Sequence, residues 1–178
     1  MYNFAVAQIF GIIGIIFSVL SMQMKTKKRI MWMLLGLNLA SALNFVFLDQ
    51  WSGSLICFFA VIETFVNYLF DSKNKKIPIF IIAFYVIVNI SLGIFTYHSP
   101  LDILPIICSL IFCATVCVPK ESQVRKLMMG NQVVWLIYDL SVKAYMFSIS
   151  NVLTIISTGI AMYRFDYKKS KSHKKLVK

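Results

Sequence analysis

Apolar residues in this chain run in blocks too long for strands and too continuous for the one-sided stripe of a surface helix. Blocks near 4–22, 30–48, 53–70, 77–97, 102–118, 127–142 and 145–164 approach the length of about 20 apolar residues that a spanning helix needs. Short polar or charged breaks separate them. The pattern predicts an all-α integral membrane protein with seven transmembrane helices. Met1-Tyr2-Asn3 puts no basic residue ahead of the first block. That block is therefore expected to be a permanent helix rather than a cleaved signal.

Composition agrees with the pattern. The chain has 178 residues, 59% hydrophobic and only 14% charged, with mean hydropathy +0.77. A soluble domain would carry about 25% charge. The net charge of +11 would suit nucleic acid, but its distribution argues against that. In the seven-helix reading, Lys25, Lys27, Lys28 and Arg29 follow the first helix, and Lys73, Lys75 and Lys76 follow the third. Lys120, Arg125 and Lys126 follow the fifth, and Arg164 and the tail lysines follow the seventh. All fall on one side, while Lys143 lies opposite with Asp49, Asp102 and Asp139. Basic loops stay cytoplasmic, so the N-terminus is expected outside and the C-terminus inside. The basic loops are expected to attract anionic lipid heads of the inner leaflet. The tail from 167 to 178 is expected to be disordered beside that leaflet.

The blocks fall into a 3+1+3 plan. Residues 1–71 form a first triplet, 72–100 a loop and a single linker helix, 101–166 a second triplet, and 167–178 the tail. Each triplet closes on a similar run, Asn67-Tyr68-Leu69-Phe70-Asp71 and Met162-Tyr163-Arg164-Phe165-Asp166. A lone linker helix makes the triplets parallel, related by an axis along the membrane normal.

Residues able to carry chemistry are few. Glu63 is the only acidic residue well inside an expected span. A central charge costs roughly 2.5–3.5 kcal/mol on insertion scales. It therefore reads either as a solute or proton site or as a hydrogen-bonded packing residue, with Asn67 and Ala60 on its face. Asn131, Trp135 and Asp139 recur at four-residue spacing in the sixth helix, with Gln132 beside them. A mid-span indole serves equally as a stacking wall or as core. Ser150, Thr154 and Thr158 form a small-residue row in the seventh helix, which favours helix packing, and Asn151 stands beside it. Asn38, Ser41 and Asn44 lie along one side of the second helix and are expected to face the same centre. Trp32 and Trp51, near helix ends, read as interface anchors. Gly11 and Gly14 predict a close crossing of the first helix.

Cys57, Cys108, Cys113 and Cys117 all lie within expected helices and form no CxxC pair. They read as soft packing residues. His98 and His173 are isolated, so no metal set is expected, and no cofactor either. No nucleophile–base arrangement or phosphate loop is present, so the expectation is not an enzyme.

Short motifs across nearly the whole chain resemble known families. Gln8-Ile9-Phe10-Gly11-Ile12-Ile13-Gly14, Ser21-Met22-Gln23-Met24-Lys25-Thr26-Lys27-Lys28 and the helix from Asn38 to Asp49 resemble the YgjV family of bacterial inner-membrane proteins, whose function is unassigned. Trp135-Leu136-Ile137-Tyr138-Asp139, Ile149-Ser150-Asn151-Val152 and Tyr163-Arg164-Phe165 resemble late helices of the SWEET and PQ-loop transporters. The helix plan also resembles that of the PnuC-type vitamin-precursor transporters. These likenesses imply a bacterial cytoplasmic-membrane location and a SWEET-like fold. The Pro-Gln pair of PQ-loop proteins stands here as Met22-Gln23. SWEET-like proteins carry a pocket asparagine in each triplet: Asn151 fits the second, but Cys57 stands at the first, which argues against a symmetric sugar clamp.

The expectation is a small-solute transporter for a sugar, nucleoside or vitamin precursor, working by alternating access between the triplets. Its site would be drawn from Asn38, Asn44, Cys57, Glu63, Asn131, Trp135 and Asn151. The alternative is a non-transporting membrane scaffold or regulatory subunit whose polar residues glue helices together. Chemistry on lipid around Glu63 is a weaker third. A homo-oligomer fits either main reading, and no nucleic-acid partner is expected.

Overall fold

The structure is a computed structural model that describes residues 2–167; of the tail expected from 167 to 178, Tyr167 instead belongs to a helical turn and 168–178 lie outside the described residues. The described chain is helical throughout. The helices are α1 (Tyr2–Gln23), α2 (Lys27–Phe47), α3 (Trp51–Ser72), α4 (Ile79–Phe95), α5 (Ile103–Cys117), α6 (Glu121–Ser141) and α7 (Tyr145–Ala161). A 3₁₀ turn at Pro100–Asp102 leads into α5, and a π-helical turn at Met162–Tyr167 prolongs α7.

Neighbours in space follow a ring. α1 packs on α2, α2 on α3, α3 on α5, α5 on α6, α6 on α7, and α7 closes on α1, while α4 sits outside the ring against α3 and α5. The bundle of seven helices is polar inside and apolar outside. Asn38, Asn44, Glu63, Asn67, Asn89, Asn131, Asp139 and Asn151 are all buried. Ile9, Ile16, Ile87, Ile137 and Ile156 stand roughly half or more exposed. That inversion of a soluble protein puts hydrocarbon-compatible surface outward and lets intramembrane polar groups pair inward. Five helical segments are long and apolar enough to cross a membrane: Phe4–Gln23, Lys27–Phe47, Trp51–Ser72, Pro100–Cys117 and Tyr145–Tyr167. α4 is apolar but shorter, and α6 carries Glu121, Arg125, Lys126 and Asp139.

The two long hairpins are built alike. After α2, Asp49 adopts φ 57°, and after α6, Lys143 adopts φ 61°. In each case the next residue reaches back across the helix end: Gln50 N–H donates to the Phe45 carbonyl at 2.9 Å, and Ala144 N–H to the Asp139 carbonyl at 2.8 Å. This six-to-one bond with a left-handed residue before it is the Schellman ending, and it turns the chain within three residues.

The opposite end is tied by two matching ion pairs. Lys27 at the start of α2 lies 3.6 Å from Asp71 at the end of α3. Arg125 in the first turns of α6 lies 2.8 Å from Asp166 in the turn after α7. The expected loop up to residue 127 is therefore corrected: α6 begins at Glu121, and Arg125 is a helical residue only 2% exposed. Its charge is tolerated because the guanidinium also donates to the Met22 and Met24 carbonyls at the end of α1. Phe165 packs 5.2 Å from it. At its other end α6 runs to Ser141, and Asp139 is a buried helical residue, as the sixth-helix stripe has it.

Gly11 and Gly14 do mark a close crossing, between α1 and α7. A Cβ on Gly14 would meet the Phe147 ring at 2.6 Å, and one on Gly11 would meet the Met146 Cβ at 2.6 Å.

Candidate functional site

Four of the seven candidate residues meet at the centre of the ring. Asn38 from α2, Cys57 from α3, Trp135 from α6 and Asn151 from α7 line one central space, with Ser18, Ser41, Gln132 and Asp139 beside them. Each helix presents them by ordinary periodicity: Asn38 and Ser41 lie three residues apart on one face of α2, and Gln132, Trp135 and Asp139 recur along one face of α6.

The central pair is Asp139 and Asn151. The Asn151 amide donates to Asp139 Oδ2 at 2.7 Å, and both residues are buried. The other oxygen, Asp139 Oδ1, has no hydrogen-bond partner among the described residues. An acceptor beside an amide, in a space shielded from bulk water, is suited to a donor such as a hydroxyl or a ring N–H. Asn38 bonds Thr64 of α3 at 3.4 Å, which fixes its amide across the first triplet. Ser18 and Ser150 share a 2.7 Å hydrogen bond that ties α1 to α7.

Aromatic rings close the space toward the Asp49 and Lys143 end. Phe45 stacks on Trp135 at 5.7 Å between centroids and on Phe147 at 6.0 Å, and Tyr138 meets both Phe45 and Trp135 edge-on. Trp135 thus both walls the space and forms part of the core. Toward the other end the Arg125–Asp166 pair closes the ring, together with the Gln23 amide on the Ser157 hydroxyl and carbonyl, both at 2.9 Å. The volume left between is about 40 Å³. That holds a few waters and is well below the ~300 Å³ of a typical small-ligand pocket.

Three candidates lie elsewhere. The Asn44 amide donates to the Ala7 carbonyl at 2.6 Å, so it glues α2 to α1. Asn131 is buried with Oδ1 unpartnered but does not line the central space; its neighbour Gln132 does. Glu63 faces outward from the ring toward α4, where Asn89 donates to it at 2.7 Å. Glu63 Oε2, the Tyr85 hydroxyl and both amide atoms of Asn67 have no hydrogen-bond partner among the described residues. Polarity alone identified these residues as buried, but it could not say which seam of the bundle each would occupy.

The Ser150, Thr154 and Thr158 row behaves as packing. Thr154 and Thr158 bond carbonyls of their own helix at 2.7 and 2.6 Å. The cysteines are free thiols, and no group of metal-ligating residues forms among the described residues.

The sequence pattern gave no site role to Arg125 or Asn89, and it placed Asp139 on the sixth-helix stripe without including it in the site. Its four-residue spacing from Trp135 and Asn131 was the available signal, and the structure places it, rather than Asn131, at the central space. Asn89 sits alone in an apolar run, where an amide needs a partner.

No curated protein and no solved structure matches the chain. The Imp-YgjV family model, described as bacterial inner membrane protein, matches residues 5–169, and the chain belongs to that family.

Proposed function

We propose that the protein is a small-solute transporter of the cytoplasmic membrane, in which the helix triplets α1–α3 and α5–α7 rock about the central polar space. The observation that carries this reading is the Asp139–Asn151 pair at the centre, with an unpartnered carboxylate oxygen facing residues of both triplets. Buried polar groups are normally partnered, so an acceptor left open beside a stacking wall is a place for a ligand donor.

The matching construction of the two halves supports the rocking. The Lys27–Asp71 and Arg125–Asp166 pairs each tie the first turns of a triplet's second helix to the end of its third, and the left-handed Asp49 and Lys143 each end the second helix. The ring contacts obey the same exchange: α1 on α7 is answered by α5 on α3. Two like bodies joined by one outlying helix suit a parallel-repeat transporter. A solute would be admitted by parting either the Phe45–Trp135–Phe147 stack or the Arg125–Asp166 pair. Hydroxyl and ring N–H donors against Asp139, with a flat face on Trp135, suit a sugar, a nucleoside or a vitamin precursor. The N-out, C-in orientation follows from the basic loops.

A second reading, a non-transporting membrane scaffold, draws on the small central volume of about 40 Å³. The two are separated by a thermal-shift screen of sugars, nucleosides and vitamin precursors on the detergent-purified protein. A ligand raises the melting point according to its occupancy. The transporter reading expects one solute class to stabilise the wild type and Glu63→Gln but neither Asp139→Asn nor Asn151→Ala. Absence of any shift, or equal shifts in all four proteins, favours the scaffold.

A further inference from the structure

We propose that the cleft between α3, α4 and α5, at the end carrying the ion pairs, binds the phosphate headgroup of an anionic phospholipid. This cleft is separate from the central space and has a volume of about 410 Å³, within the range of small-ligand pockets. Its wall is made by the end of α3, the α3–α4 loop, the start of α4 and the end of α5.

The charge in it is lopsided. Lys27, Lys75 and Lys76 line it against one carboxylate, Asp71. The Lys27–Asp71 separation of 3.6 Å is longer than a direct hydrogen bond. Lys75 and Lys76 are exposed. They are brought over the end of α3 by a left-handed Asn74, φ 51°, and by the Lys75 N–H donating to the Phe70 carbonyl at 2.9 Å.

A second observation points to a ligand independently of the lysines. Asn67 lines the cleft, is 0% exposed, and neither its amide nitrogen nor its amide oxygen has a hydrogen-bond partner among the described residues. A phosphate oxygen would accept from the Asn67 amide on the inner side and from the lysines on the outer side.

The surroundings favour a lipid over a free anion. Ile77 and Ile82 share the wall with the lysines. Beside them the outer surface of α4 is apolar, with Ile79 80%, Phe80 69% and Phe84 57% exposed. A headgroup in the cleft would lay its acyl chains along that surface. Basic pockets between helices on the cytoplasmic side are suited to anionic headgroups.

The test uses the full-length protein in neutral detergent, with phosphatidylglycerol, phosphatidylcholine, glycerol phosphate and inorganic phosphate as probes. Thermal shift and native mass spectrometry read the binding. Phosphatidylglycerol is expected to stabilise the wild type and to remain bound as one or two retained lipids, with the other three probes giving no comparable shift. Lys75→Gln/Lys76→Gln, on an exposed loop, is expected to weaken phosphatidylglycerol binding about 25-fold, near fivefold per lysine. Asn67→Asp, which sets a carboxylate against the phosphate, is expected to abolish the retained lipid. Lys25→Gln/Arg29→Gln, exposed basic positions outside the cleft, is expected to change it less than threefold. Equal losses in the loop and control variants would mean diffuse attraction and overturn the site. A full shift from inorganic phosphate or glycerol phosphate alone would overturn the lipid as its occupant. Unaltered phosphatidylglycerol binding in both cleft variants would overturn it as well.

Discussion

The Asn151 amide donates to Asp139 Oδ2 at 2.7 Å in the middle of the helix ring, and the second oxygen of that carboxylate is left without a partner. Removing one member of a buried hydrogen-bonded pair strands the other, which costs about 1–3 kcal/mol. Asn151→Leu should destabilise the protein by about that amount. Asp139→Asn, which keeps shape and an acceptor oxygen, should melt near the wild type. Adding Asp139→Leu to Asn151→Leu should cost less than the two single changes summed, because the pair is coupled. Chemical or thermal unfolding of the four variants in one detergent checks this.

The two ion pairs should differ in strength although each ties a triplet's second helix to the end of its third. Arg125 is 2% exposed and bonds Asp166 at 2.8 Å as well as two carbonyls at the end of α1. Breaking a buried pair from one side costs about 3–5 kcal/mol, and the partly exposed Asp166 puts Arg125→Gln at the lower end. Lys27 and Asp71 are 3.6 Å apart, with Asp71 about a quarter exposed, so Lys27→Gln should cost under about 1 kcal/mol. Melting temperatures of the two variants should rank accordingly.

Lys143 and Asp49 hold left-handed backbone at the two hairpins, with φ 61° and 57°. A side chain there costs roughly 1–2 kcal/mol that glycine avoids. Lys143→Gly should therefore raise stability by about 1 kcal/mol, and Lys143→Val should lower it. The same unfolding measurement reads both.

Gly36 and Gly130 test the packing. A Cβ on Gly36 would meet the Phe17 ring at 2.7 Å, whereas nothing lies within 4 Å of one on Gly130. Gly36→Ala should destabilise by about 1–3 kcal/mol through overpacking. Gly130→Ala should be neutral or stabilising by up to about 1 kcal/mol, from helix propensity alone.

Hydropathy made the helices legible because a bilayer-sized apolar run leaves little choice of structure. It misplaced the start of α6 because Arg125 and Lys126 look like loop residues. Only the α1 carbonyls and Asp166, far away in sequence, make a buried guanidinium tolerable. For the site, residue type and helical spacing picked out Asn38, Trp135 and Asn151, and only the resemblance to SWEET-like proteins pointed to Cys57; the four line one space. Type and spacing could not separate the central seam from the α3–α4 seam, because facing depends on the ring order. Glu63 therefore went to Asn89 and Asn44 to Ala7. Asp139 lay on the sixth-helix stripe, but residue type alone did not set it apart from Asn131 as the member that faces the centre.

Cys57 is 4% exposed and lines the central space, which makes it a natural reporter of alternating access. The decisive measurement is alkylation of Cys57 by a membrane-impermeant maleimide in oriented proteoliposomes, with Cys108, Cys113 and Cys117 replaced by serine. Rocking triplets predict slow labelling from each membrane face in turn, slowed further by any solute that stabilises the protein. A thiol that stays inert until the protein unfolds, or that reacts from one face only, would contradict alternating access through this centre.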